Sequence, residues 1–316
     1  MNALLTYLRK NPILTNELRV RMRGKRAYLV LAGHLLLLGA VVFLIYLAVY
    51  EEAQSFSRYG YGGSFQRSLQ AATTAGKAIF YGTIILLLIF ISVIAPAFTA
   101  GSLVGEKERQ TYELLTITTL PARSIVLGKL NAIMTFLVLL ILATLPILSM
   151  AYFFGGVAIG EVLIAVLVLI ITALVFSTMG LYISSFARST TTANLITYAV
   201  VIPLLLGVPF LVFLVGVLSS GIFFDELLNG GEPPILMAAI ITYILAFLLS
   251  INPLSMAVTS QLFIEGTGHY FFSVETFFDF DFFIIAPWIV YVVFGLLTSL
   301  VLVKLAVRRV DRVSLT

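Results

Sequence analysis

The chain has 316 residues, 60% of them hydrophobic and only 11% charged, with a mean hydropathy of +1.09. Soluble domains carry about 25% charged residues, so soluble enzymes and soluble binding modules are excluded. With no cysteine and two histidines, a disulfide framework, thiol chemistry and a multi-histidine metal site are excluded too. The net charge of +4 is small, and its placement along the chain says more than its size.

Residues 1–26 carry seven Lys/Arg (Arg9, Lys10, Arg19, Arg21, Arg23, Lys25, Arg26) among Leu4, Leu5, Leu8, Ile13, Leu14 and Leu18. This pattern predicts a basic amphipathic helix, interrupted at Pro12, that lies in the membrane interface. The basic stretch is too long for the n-region of a cleavable signal, and no small-residue cleavage site follows it. A crossing of about 30 Å needs roughly 20 apolar residues. Six stretches qualify: 27–50, 78–100, 130–154, 162–186, 196–218 and 282–303. Residues 236–251 are apolar but shorter, and Asn252-Pro253 follows them, so they read as a re-entrant or interfacial helix. Residues 51–77, with their Tyr-Gly-Tyr-Gly-Gly run at 59–63, read as a loop. Residues 219–281 mix phenylalanines with acids and read as an external interfacial lid. Trp288 is expected about two turns inside the last span.

The charges set the topology. With the N-terminus inside, 16 of the 19 Lys/Arg fall on the inside and 10 of the 15 Asp/Glu fall outside. No Lys or Arg occurs from Ser189 to Val303. A full crossing at 236–251 would leave an inner loop without one basic residue, against the positive-inside rule. The expected fold is therefore an all-α integral membrane protein of six transmembrane helices, with both termini cytoplasmic. Residues 27–316 form the six-span domain.

The six spans, as bounded above, hold no Asp, Glu, Lys or Arg, which argues against a proton- or sodium-coupled carrier. His34 is read as a neutral imidazole bonded to a nearby carbonyl. No GxxxxGK[ST], GxSxG or HExxH occurs, so no catalytic, cofactor or metal site is expected and the chain is not read as an enzyme. Chemistry concentrates between spans two and three. There Glu106, Lys107, Glu108, Arg109 and Glu113 crowd the first turns of a helix expected at about 105–121. Glu106 and Glu108 suit a helix N-terminus. The pairs Glu106/Gln110 and Arg109/Glu113 have i,i+4 spacing. Thr111, Tyr112, Leu114, Leu115 and Thr118 continue the helix, and Pro121 stops it.

This run resembles the segment after the second span of type-2 (ABCG-like) ABC-transporter permeases. The matching positions are Glu106, Lys107, Glu108, Thr111, Glu113, Leu114, Leu115, Thr118, Ile125, Gly128 and Lys129. The proline comes slightly later than in the family, at Pro121. Asn11 to Arg26 is similar to the family's N-terminal connecting helix, and Ser184-Ser185-Phe186 to Arg188 and Ala193 to its inner loop before span five. The resemblance implies an ATP-driven exporter whose permease chains pair as a homodimer or heterodimer in the cell membrane. It further implies two copies of a separate ABC ATPase, which bind ATP and Mg. The residues from Glu106 to Pro121 then form the coupling interface with that ATPase, and no nucleic acid is involved. Two other readings stay open: a non-transporting subunit that controls an envelope enzyme or assembly machine, and an ATP-independent scaffold.

Overall fold

The protein is described by a computed structural model covering residues 25–59, 64–110, 121–211, 213–214, 235–277 and 280–313. The interfacial helix expected before residue 25 lies outside these residues. Nine helices and one hairpin follow in chain order among them: α1 (Lys25–Tyr59), α2 (Ser64–Ala100), α3 (Val104–Glu108), α4 (Ala122–Phe153), α5 (Ile159–Phe186), α6 (Thr190–Ile202), α7 (Ile235–Ile251), α8 (Pro253–Thr267), β1 (Phe272–Phe277), β2 (Phe280–Ile285) and α9 (Pro287–Val313). Six helical segments are long and apolar enough to cross a membrane. Helices are what lipid demands, because a spanning backbone must bond to itself.

α5 is the axis. It is apolar all round, with buried residues from Ala165 to Ser185, and it packs against α2, α4, α6 and α9. Burial between helices gains no hydrophobic free energy over lipid, so close backbone approach must hold the bundle. Gly180 supplies it: a Cβ there would sit 2.1 Å from Thr99 Oγ1 and 3.2 Å from the Pro96 Cα. Thr172 and Tyr291 add a buried hydrogen bond of 2.8 Å between α5 and α9. α1 is peripheral, resting on α2 and α4. Its His34 is buried and stacks on Phe90 at 4.4 Å. The ring lies against the Leu140 backbone, on the neighbouring helix α4.

Several expectations are corrected. Residues 51–77 are largely helix, not loop, because α1 runs to Tyr59 and α2 starts at Ser64. At 1.5 Å per residue, the 37 residues of α2 span about 55 Å, well beyond the hydrocarbon. Span three begins at Ala122 rather than 130, which brings Arg123 and Lys129 into its helix. Span six begins at Pro287 rather than 282. Residues 280–285 are a strand, paired antiparallel with 272–277 from Phe272↔Ile285 to Phe277↔Phe280. Phe-, Val- and Ile-rich runs favour an extended chain, and Pro287 suits the first turn of the helix that follows. Trp288 therefore stands at the start of α9, not two turns in. Its Nε1 donates to the Tyr270 carbonyl at 2.7 Å.

α7 and α8 form a helical hairpin beside the hairpin end of α9. Tyr243 of α7 donates to the Phe283 carbonyl of β2, and Phe247 stacks edge-on against Phe294. The turn is built on Asn252. Its Oδ1 accepts from Leu254 N at 2.9 Å and Ser255 N at 3.2 Å, capping α8, and Pro253 takes the first helical position. Its Nδ2 donates to the carbonyls of Leu204 and Leu205. Those carbonyls lie in the π-helical turn Pro203–Gly207 that follows α6, where Pro203 lacks an N–H and breaks the regular ladder.

Candidate functional site

The other end of the bundle holds the charged segment. α3 follows α2 after a three-residue turn and is fastened from its first residue. Ser184 Oγ, in the last turn of α5, accepts from the backbone N–H of Leu103 at 3.0 Å and of Val104 at 3.1 Å. Such N–H groups at a helix start have no partner within their own helix. Beneath them Val104 packs with Ala100, Ala187 and Ala193. Leu103 joins a second buried cluster formed by Ile125, Val126, Leu130, Leu181, Ala306, Val307 and Val310, which ties the turn before α3 to α4, α5 and the end of α9.

Each charged residue of α3 then reaches a different helix. Glu106 Oε1 meets Lys129 Nζ of α4 at 2.6 Å, and Lys129 Nζ also donates to the Ser102 carbonyl at 3.0 Å. The Lys129 side chain is only 2% exposed and Glu106 22%. A cation buried so deeply persists only if paired and hydrogen-bonded, and both conditions are met. Lys107 Nζ donates at 2.8 Å to the Ser185 carbonyl, one of the terminal carbonyls of α5, where a cation is favoured. Arg309 of α9 lies close enough to repel the Lys107 ammonium and sits 5.6 Å over the Phe186 ring. Glu108 crosses to α6: Oε1 accepts from Thr190 N at 2.9 Å and Oε2 from Thr190 Oγ1 at 2.9 Å. Ser189 caps the same helix end by accepting from Thr192 N at 3.1 Å. Glu108 and Ser189 thus share the capping of α6.

Two sequence expectations change. Glu106 pairs with Lys129 across the fold instead of with Gln110 on its own helix. Glu108 closes α3 and serves the N-terminus of another helix, α6. A continuous helix over 105–121 is also ruled out, since α3 ends at Glu108 and Gln110 takes φ +59°, a left-handed conformation that ends it. Thr111, Tyr112, Glu113, Leu114, Leu115 and Thr118 lie outside the described residues. Pro121 stands before a helix: with φ −65° and ψ 144° it is the N-cap of α4. Among the described residues, Glu108, Arg109, Gln110, Pro121 and Arg123 are exposed at this end.

Sequence reasoning missed Lys129 as a site residue, although Gly128-Lys129 lay within the quoted motif. It also missed Thr190, whose short side chain carries no signal until Glu108 is seen against it. Among the described residues the arrangement is a junction, in which one short charged helix is bound to α4, α5 and α6 at once.

Residues 12–315 match the family model described as ABC-2 family transporter protein. The chain belongs to the ABC-2 transporter family. It is a multi-pass membrane protein and the permease subunit of an ABC transporter, a family that works with an ABC ATPase subunit. No curated protein matches the chain.

Proposed function

We propose that this ABC-2 permease is the membrane half of an ATP-driven exporter, and that α3 with the residues up to Pro121 is its coupling interface with a separate ATPase. The permease works as a pair of chains, homodimeric or heterodimeric, with two ATPase copies that bind ATP and Mg. The basic ends of the chain and the α3 end of the bundle face the cytoplasm, as the excess of Lys/Arg there favours. The β-hairpin and the α7–α8 pair face outside, with α7 and α8 entering and leaving on that side.

The observation that carries this reading is the three-way fastening of α3. A load applied at its exposed residues Arg109 and Gln110 passes through Glu106–Lys129 into α4, through Lys107 and Ser184 into α5, and through Glu108–Thr190 into α6. The second and third paths add spans four and five to the two spans that flank the segment in sequence, and so give the ATPase a hold on four spans.

Docking and transmission separate by residue. Arg109→Glu reverses an exposed charge and is expected to weaken ATPase binding severalfold. Glu108→Ala removes a cap worth about 1 kcal/mol and is expected to leave ATPase binding intact but reduce transport-coupled ATP hydrolysis about fivefold. Both are read by co-purification and hydrolysis assays on the permease–ATPase complex. Normal binding and coupling in both variants would overturn the proposal.

A further inference from the structure

A narrow cleft of about 50 Å³ opens at the hairpin end of the bundle, far from α3. One wall is α5, from Glu161 down through Ala165 to Val168. The facing wall is α8, from Ile264 down to Met256, and Ile84 of α2 and Trp288 of α9 close the sides. From Glu161 to Val168 the helical rise is about 10 Å, two-thirds of the roughly 15 Å that one leaflet contributes.

Polar groups stand at defined levels. At the rim Glu161 Oε2 accepts from Tyr81 Oη at 2.8 Å, and Oε1 accepts from Ala158 N at 3.2 Å. Lys77 and Glu265 pair beside it at 2.8 Å, so these three side chains leave one net negative charge. Midway down α8, Ser260 lines the cleft. It is 7% exposed and its Oγ has no hydrogen-bond partner. Hydroxyls along the same helical pair bond back to backbone carbonyls: Ser250 to Ala246, Ser255 to Leu249 and Thr259 to Ser255. Ser260 does not, and a buried hydroxyl without a partner is costly in apolar surroundings.

We propose that this cleft binds an acyl lipid of the surrounding bilayer that carries an ammonium headgroup. The chain lies between α5 and α8 with its end near Met256 and Val168. The ester carbonyl accepts the Ser260 hydroxyl, and the ammonium meets the net negative rim at Glu161 and Glu265. An anionic headgroup would face that same negative charge. The inference rests on the membrane insertion of the chain and not on the coupling proposal.

Trp288 is the only tryptophan and lines the cleft, so it reports the occupant directly. The chain is reconstituted into vesicles of equal parts phosphatidylethanolamine and phosphatidylglycerol, with bromine on the acyl chains of one or the other lipid. Quenching of Trp288 is expected to be at least about threefold stronger with bromine on the ethanolamine lipid. Ala165→Phe, which fills the cleft, is expected to abolish the preference. Glu161→Gln, which removes the net negative charge of the rim, is expected to bring the ratio to about one, and it decides the matter alone if Ala165→Phe does not insert. Ser260→Ala, which keeps the packing and loses the hydrogen bond to an ester carbonyl that both lipids carry, is expected to weaken the quenching severalfold. Equal quenching by the two lipids, stronger quenching by the anionic one, quenching that Ser260→Ala leaves unchanged, or a preference that Glu161→Gln leaves intact would each overturn the proposal.

Discussion

At the scale of single residues, Lys129 is the most consequential side chain. Removing a buried ion's partner costs far more than the pair itself contributes. Glu106→Leu should leave the buried Lys129 ammonium without its carboxylate and destabilise the fold by about 3 kcal/mol. Denaturant titration in detergent would show it as a lowered midpoint. A Glu106→Leu, Lys129→Leu double variant should recover most of the loss, because no lone charge is then buried. A double variant as weak as the single would mean the pair has a role beyond mutual neutralisation. The residue was legible in sequence only as half of a Gly-Lys motif. Its burial could not be read, since it depends on α4 starting eight residues before the apolar run, as Ala122 shows. Glu106 and Glu108 were legible as helix-terminal acids, but the helix that Glu108 serves is α6, which is distant in sequence.

At the scale of elements, hydropathy located the spans because each apolar run had to become a helix in lipid. The errors fall where composition and conformation diverge. Residues 282–285 are as apolar as a span, yet they pair as strand β2, so hydropathy placed span six too early. The Gly- and Ser-containing residues after Tyr50 read as loop, but α1 and α2 continue through most of them. Asn252-Pro253 did signal a helix break. What it could not reveal is that Asn252 also reaches the Leu204 and Leu205 carbonyls of the π turn. Asn252→Ala should therefore cost more than the roughly 1 kcal/mol of an ordinary cap, and about 2 kcal/mol or more by denaturant titration. A loss of only 1 kcal/mol would mean the link to the π turn carries no weight. Gly180 makes a second test at this scale. Gly180→Ala would drive a methyl into Thr99 and should destabilise by 1–3 kcal/mol. Adding Thr99→Ala removes the 2.1 Å obstacle and should restore part of it.

At the scale of the whole molecule, the bundle has two unlike ends on one axis, α5. At one end α3 is bound to three helices by charge-assisted hydrogen bonds. At the other, α2, α5, α8 and α9 enclose an apolar cleft. The asymmetry of charge in the sequence already separated these ends, since Lys and Arg crowd the first and are absent from Ser189 to Val303. Because the protein has no cysteine, one introduced thiol reports unambiguously. His269→Cys, exposed after α8, should react with an impermeant maleimide in intact cells. Reaction only after permeabilisation would invert the proposed topology.

The most direct test places a single cysteine at Arg109 and joins it through a short photoactivatable linker to whatever touches α3. In membranes containing the partner ATPase, cross-linking should yield one adduct of permease with ATPase, and its yield should change when ATP is bound. The same label at position 269 should yield none. An Arg109 position that captures no ATPase, or an adduct equally abundant from position 269, would contradict the assignment of α3 as the coupling element.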